Sequence, residues 1–343
     1  MKKIQIALAL IILLLIFIVA IGRGSVNIPA LDIFRVIAYR IFGAGTTPGI
    51  GVTSIIWYSR IPRALLAFTV GAALAVSGAI MQSVLRNPLA SSFTLGVSSG
   101  ASFGASLVLF TGVAATISTL PLLASFSLPT LGFVFGMLTI VMVIAMAHKM
   151  DGRMDNNTII LVGMVMSLFI NSVTTLLMAL QRQYAQRLMF WQMGSFSPAH
   201  VQGWHTLAVL APIALVGCLL ALFYHRELDI MTFGEEQAQL MGINLRRVKW
   251  ILLLIAAAIT GSAISFVGII GFVDLVSPHV VRRIFGSRHR LIIPLSAIFG
   301  GSFMMLCDLV ARTVVSPGEL PVGVVSALVG APFFAYVFFR NRR

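Results

Sequence analysis

Apolar positions along this chain fall in long unbroken blocks, and short basic stretches separate the blocks. The blocks occupy residues 4–22, 64–85, 87–147, 156–181, 188–225, 250–273 and 320–339. A hydrocarbon core of about 30 Å is crossed by ~20 helical residues at ~1.5 Å each, which predicts at least two crossings within the uncharged run 87–147. No water reaches that depth to satisfy backbone N–H and C=O groups, so the crossings are helices or strands of a closed barrel. Strand-like alternation is absent, which leaves an α-helical bundle.

Composition agrees with the pattern: 59% of the 343 residues are hydrophobic, 10% are charged and the mean hydropathy is +1.01, outside the range of soluble globular domains. The net charge of +14 does not indicate nucleic-acid binding, because the basic residues punctuate apolar runs as membrane orientation requires. The Met1, Lys2, Lys3 start precedes an apolar stretch too long for a signal peptide, with no convincing small-residue cleavage site after it, and reads as the first span. Cys218 and Cys307 sit in apolar runs far apart and read as buried free thiols.

Charge also sets the span count. The segment 271–287 is only part-way long enough to cross. If it crosses, the 24 Lys and Arg divide into 16 on the N-terminal side and 8 on the other; if it does not, the split is 10 against 14. Positive residues collect in the cytoplasm, so the first alternative holds. The reading is one transmembrane domain over 1–343 with ten spans and both termini cytoplasmic. The spans lie at 4–22, 62–85, 94–113, 128–147, 157–181, 204–224, 249–270, 272–285, 291–311 and 321–339, the eighth being short and carrying Pro278. That short span is a candidate for the irregular backbone that transporters place along a pathway.

The external loop 23–60 contains Leu31, Phe34, Ile37, Ala38, Ile41 and Phe42 at helical spacing, which predicts an amphipathic helix resting on the bundle or bilayer surface. Small residues four apart (Gly71, Ala75, Ala79 and Gly96, Gly100, Gly104) predict close helix packing within one fold.

No Walker A loop and no metalloprotease motif is present, so any ATP is handled by a partner. Ion-coupled carriers need carboxylates near the midplane, and this chain offers only Asp274 and Asp308, each near a predicted outer span end. Asp308 stands one turn before Arg312, the spacing of a local ion pair. The cytoplasmic segment 225–247 reads as a coupling segment, with a short helix opened by Glu235 and Glu236, closed by Gly242 and followed by Arg246, Arg247 and Lys249.

Four blocks together resemble the iron-chelate and cobalamin permease family of ATP-binding-cassette importers, the FecCD family, along nearly the whole chain. They are Arg60-Ile61-Pro62-Arg63 with the glycine-rich stretch to Gln82 and Arg86-Asn87-Pro88-Leu89-Ala90; Trp191-Gln192-Met193-Gly194-Ser195; Gly234-Glu235-Glu236-Gln237-Ala238 to Gly242; and Gly268 to Val273 with Pro278-His279, Asp308 to Arg312 and Glu319-Leu320-Pro321. The resemblance implies an all-α, ten-span permease of type II importer architecture in a bacterial cytoplasmic membrane. It implies two permease subunits, identical or paralogous, around one pathway, two cytoplasmic ATP-binding subunits that use ATP and Mg, and an extracytoplasmic binding lipoprotein or periplasmic protein. It implies no catalytic residue, metal or cofactor in this chain. Carried over by position, Arg60, Arg63 and Arg312 resemble the outer arginines that dock the binding protein, and Gly234, Glu235, Glu236, Ala238 and Gly242 the coupling helix. Gln82, Asn87, Pro88, Asp274, Pro278 and His279 are pathway or gating candidates. The family commonly has Gly at Asp274, which leaves three readings for that carboxylate: contact with Arg312, the outer mouth of the pathway, or water. The cargo implied is a ferric siderophore, with haem or cobalamin as alternatives; an ion-coupled secondary carrier is the competing class.

Overall fold

The computed structural model describes residues 2–24, 26–44, 48–112, 121–152, 154–197, 201, 203–316 and 318–340. Among them the regular structure is helical throughout. In chain order the helices are α1 (Lys2–Gly22), α2 (Ala30–Phe42), α3 (Ile50–Ser54), α4 (Ile61–Val84), α5 (Val97–Thr111), α6 (Pro121–Met150), α7 (Asn156–Leu180), α8 (Arg182–Gln192) and α9 (Gly203–Phe223). There follow α10 (His225–Met231), α11 (Glu235–Leu240), α12 (Leu245–Val267), α13 (Val273–Phe285), α14 (His289–Thr313) and α15 (Val322–Arg340). Seven are long and apolar enough to cross a membrane; Val97–Thr111 and Val322–Tyr336 are shorter apolar helices, and α13 has only 13 residues.

α4 is the hub. It is buried over most of its length and packs against α9, α12, α13 and α14. Small residues permit this closeness: a Cβ on Gly71 would overlap the carbonyl of Gly300, and one on Gly104 the carbonyl of Leu131. Both small-residue ladders therefore pack within the chain. A π-helical turn over Ile55–Arg60 joins α3 to α4, so Ile50–Val84 runs as one helix of 35 residues. Arg60, which the sequence places at the end of an external loop, lies inside that helix.

α2 forms where expected but presents the other face. Ile33 and Val36 are buried, with Ile37 packed beside them, whereas Leu31, Phe34, Ile41 and Phe42 are exposed. The helix is apolar on two sides, and the narrower stripe at i, i+3 and i+4 is the one that meets the bundle.

The eighth predicted span, 272–285, is the short helix Val273–Phe285 with Pro278 inside it, and irregular backbone precedes it. Residues 268–272 are not helical; Gly268 and Phe272 have φ of 83° and 70°, and the short helix starts only at Val273. A Cβ on Gly268 would overlap the Trp191 carbonyl. Main-chain bonds from Ser195 to Val267 (2.8 Å), Val322 to Gly194 (3.0 Å) and Gly323 to Met193 (3.1 Å) brace the linker. Non-helical backbone is tolerated inside a bilayer only where protein supplies its partners, as here.

Candidate functional site

Two polar clusters sit on α4, one near each end. Arg63 and Ser83 are twenty residues apart on that helix, ~30 Å at ~1.5 Å per residue, the thickness of a hydrocarbon core.

At the first end Arg63 spreads its guanidinium over two carboxylates. Nε and Nη2 donate to Asp308 at 3.0 and 2.8 Å, and Nη1 and Nη2 to Glu319 at 2.8 and 3.0 Å. Arg312 pairs with Asp308 at 3.5 Å, the i, i+4 contact expected, and also donates to the Ala20 carbonyl. Arg60 donates to the carbonyls of Ile21 (2.7 Å), Gly22 (3.0 Å) and Val26. All three arginines named as docking residues are brought together, but Arg60 and Arg63 are buried, Arg312 is half-buried, and their guanidiniums turn inward rather than outward. Three guanidiniums face two carboxylates, so the cluster keeps an excess of one positive charge. Arg63's partners were illegible in the sequence because they lie 245 and 256 residues away.

At the other end, the coupling residues divide. Glu236 is exposed, Ala238 is buried, and Glu235 is held by Lys249, a fully buried lysine whose Nζ donates to Glu235 Oε1 and to the Met154 carbonyl, both at 2.7 Å. Gly234 and Gly242 bracket α11 with φ of 133° and 83°, a conformation glycine adopts freely. Around α11 three large apolar residues, Phe233, Leu240 and Met241, are exposed beside the polar Glu236, Gln237 and Gln239. Sequence reasoning passed over these three; large apolar residues within a hydrophilic connector are the signal that marks them.

Of the pathway candidates, Gln82 and Asp274 come together and the rest do not. Gln82 Nε2 donates to the Asp274 carbonyl at 3.1 Å. The Asp274 carboxylate is buried, and its Oδ2 accepts from N and Oγ of Ser92 at 3.3 Å each, while Oδ1 has no side-chain hydrogen-bond partner among the described residues. The carbonyl of Asp274 packs on Gly78, near the Ser83 end of α4. Asp274 is thus neither beside Arg312 at the Arg63 end of α4 nor in water, because the linker carries the chain toward the Ser83 end before α13 begins. Asn87 and Pro88 instead form the turn after α4, where Asn87 Oδ1 accepts from the Leu89 N–H at 2.9 Å. Pro278 is buried within α13, and His279 stacks edge-on against Phe334 at 6.0 Å.

Beside the linker lies an open hollow of about 470 Å³, walled by Phe93, Gln192, Ile269, Gly271, Phe272 and Leu328 among others. Its wall is the broken backbone and its rim is the exposed face of α15. No group of three or more His, Cys, Asp or Glu is placed to hold a metal ion among the described residues.

This architecture has known counterparts. Residues 11–340 match the model of the FecCD transport family. The uncharacterized ABC transporter permease protein YvrB of Bacillus subtilis is 38% identical over 95% of this chain and 90% of its own length. The cobalamin import system permease protein BtuC of Halobacterium salinarum is 37% identical over 93% of this chain and 81% of its own. A solved structure of a metal-chelate type ABC transporter in an inward-facing conformation superposes with a TM-score of 0.82 at 26% identity, covering 99% of this chain and 100% of that one. A bundle built on α4, a broken helix beside a hollow and a near full-length match lead to one conclusion: this chain is a multi-pass membrane permease of the FecCD transport family.

Proposed function

We propose that the chain is one of two permease subunits of an ATP-driven importer that carries a metal chelate, a ferric siderophore, across a bacterial cytoplasmic membrane. The likeness to a metal-chelate type ABC transporter over 99% of the chain carries this reading. In it the Arg63 end faces outward, and the Ser83 end and both termini face the cytoplasm. Two cytoplasmic subunits bind ATP and Mg and hydrolyse the nucleotide; they dock on α11 through Phe233, Glu236, Leu240 and Met241. A binding protein presents acidic groups to the Arg60, Arg63 and Arg312 cluster, whose excess positive charge suits them. Access alternates because the ATP-binding subunits bind one state of the permease pair better than the other. Haem or cobalamin would travel by the same mechanism, and the cobalamin permease relative favours keeping that alternative. A secondary carrier is disfavoured because one of the two buried acids, Asp308, is locked by two arginines.

The test is uptake into proteoliposomes holding the permease, its ATP-binding subunits and the binding protein. Accumulation of a ferric siderophore that needs internal ATP and binding protein supports the reading. Uptake that persists without ATP but collapses with the ion gradient sinks it. Deleting residues 235–242 should release the ATP-binding subunits on purification.

A further inference from the structure

The polar side chains at the Ser83 end form one continuous hydrogen-bonded path that no part of the transport reading uses. Asp229 Oδ1, on α10, accepts from the main-chain N and the Nδ1 of His289, both at 2.7 Å. His289 Nε2 meets Ser83 Oγ at 2.6 Å. Arg282 Nη2 donates to Ser83 Oγ at 2.9 Å and to the Ala79 carbonyl at 3.2 Å, while Nη1 bonds Gln82 Oε1. Gln82 Nε2 then reaches the carbonyls of Asp274 and Leu275 at 3.1 and 3.4 Å. The path starts next to α11, crosses the N-terminus of α14 and the last turns of α4, and grips α13 at both ends.

Two features make this a mechanical link rather than isolated contacts. His289, Ser83 and Gln82 are buried, so a broken bond among them strands a polar group with no water to replace its partner. Asp229 brings formal charge to the start of the chain of bonds and Arg282 to its middle, where charge-assisted bonds resist separation most strongly. Displacing Asp229 therefore displaces His289, Ser83 and Arg282 with it. The far terminus is a 13-residue helix preceded by non-helical backbone that forms a wall of the hollow.

We propose that Asp229, His289, Ser83, Arg282 and Gln82 are positioning residues of the transport cycle, passing movement of the 225–231 helix to α13 and through it to the 268–272 linker. This rests on the reading that segment 225–247 faces the ATP-binding subunits.

The experiment measures ATP hydrolysis and chelate transport together in the reconstituted importer. Ser83→Ala removes the oxygen shared by His289 and Arg282; hydrolysis and retention of the ATP-binding subunits stay within about twofold of the unaltered importer, and transport per ATP falls roughly tenfold or more. Arg282→Lys, which keeps the charge and loses the fork, gives the same split should Ser83→Ala fail to assemble. Asp229 and Ser83 do not touch, so independent effects would multiply in the Asp229→Asn, Ser83→Ala double variant. A single relay instead predicts a transport ratio no worse than about twofold below the poorer single variant. Parallel loss of hydrolysis and transport, an unchanged ratio, or multiplied losses would each overturn the proposal. Failure of the underlying reading looks different: the ATP-binding subunits then stay bound after deletion of residues 235–242.

Discussion

Arg63 shows how much one side chain depends on distant chain. Its guanidinium meets Asp308 and Glu319 from the far end of the sequence, and the Asp308 side chain is only 3% exposed. Truncating the arginine leaves that carboxylate with Arg312 alone at 3.5 Å. Arg63→Met should cost about 3–5 kcal/mol, the penalty for stranding a buried charge. Thermal unfolding in lipid nanodiscs would read it, and adding Asp308→Asn should restore part of the loss, because the carboxylate that lost Arg63 is then neutral while Arg312 keeps its bond to the Ala20 carbonyl. Glu319 behaves differently because its side chain is 36% exposed. Glu319→Gln should leave stability nearly unchanged and tighten the binding protein's dissociation constant about two- to fivefold, since one acid competing for Arg63 is gone. Weaker docking would remove the arginine cluster from the docking surface. The sequence made the Asp308 and Arg312 pair legible because helical spacing is local. It could not reveal that Arg63 is the closer partner, nor that Lys249, counted there as an orienting charge, is a fully buried anchor for Glu235.

At the scale of elements, apolar run length located the helices, and it misjudged those whose form depends on neighbours. The short segment 272–285 was legible as an irregularity, since its length and Pro278 both broke the pattern. Its depth was not, because that follows from main-chain bonds between residues 193–195, 267 and 322–323. α2 repeats the lesson: two apolar faces were available, and only tertiary packing selected Ile33 and Val36. The linker leads to a sharp expectation at Gly268, whose φ of 83° and contact with the Trp191 carbonyl exclude a side chain. Gly268→Ala should prevent stable assembly, whereas Gly286→Ala, with φ of 90° but nothing near its Cβ, should be tolerated with only the strain of the backbone, about 1–2 kcal/mol. Yield of monodisperse protein from membranes distinguishes the two variants, and equal yields would mean that the 268–272 linker has room to yield.

For the molecule as a whole, the orientation in the membrane connects the charge pattern to the geometry. His289 bonds Ser83, so Ser287 lies at the Ser83 end of α4, while Ile50 begins the continuous helix that enters at the Arg63 end. These ends are ~30 Å apart along α4, and a ten-span path assigns 16 of the 24 Lys and Arg to the side of the Ser83 end. Ser287 is also the residue whose side depends on whether 271–287 crosses: ten spans put it opposite Ile50, and nine put it on the same face. With Cys218 and Cys307 replaced by Ala, Ile50→Cys and Ser287→Cys would be probed singly with a membrane-impermeant maleimide. Ile50 is 89% exposed and Ser287 is exposed, so access depends on the side of the membrane and not on burial. In right-side-out vesicles the first should label and the second should not, and in inside-out vesicles the order should reverse. Labelling of both from the outside would mean that α13 and its linker return to the face they left. The excess of positive charge would then stand outside the cell, and the path from Asp229 to the hollow would begin on the wrong side of the membrane for ATP to act on it.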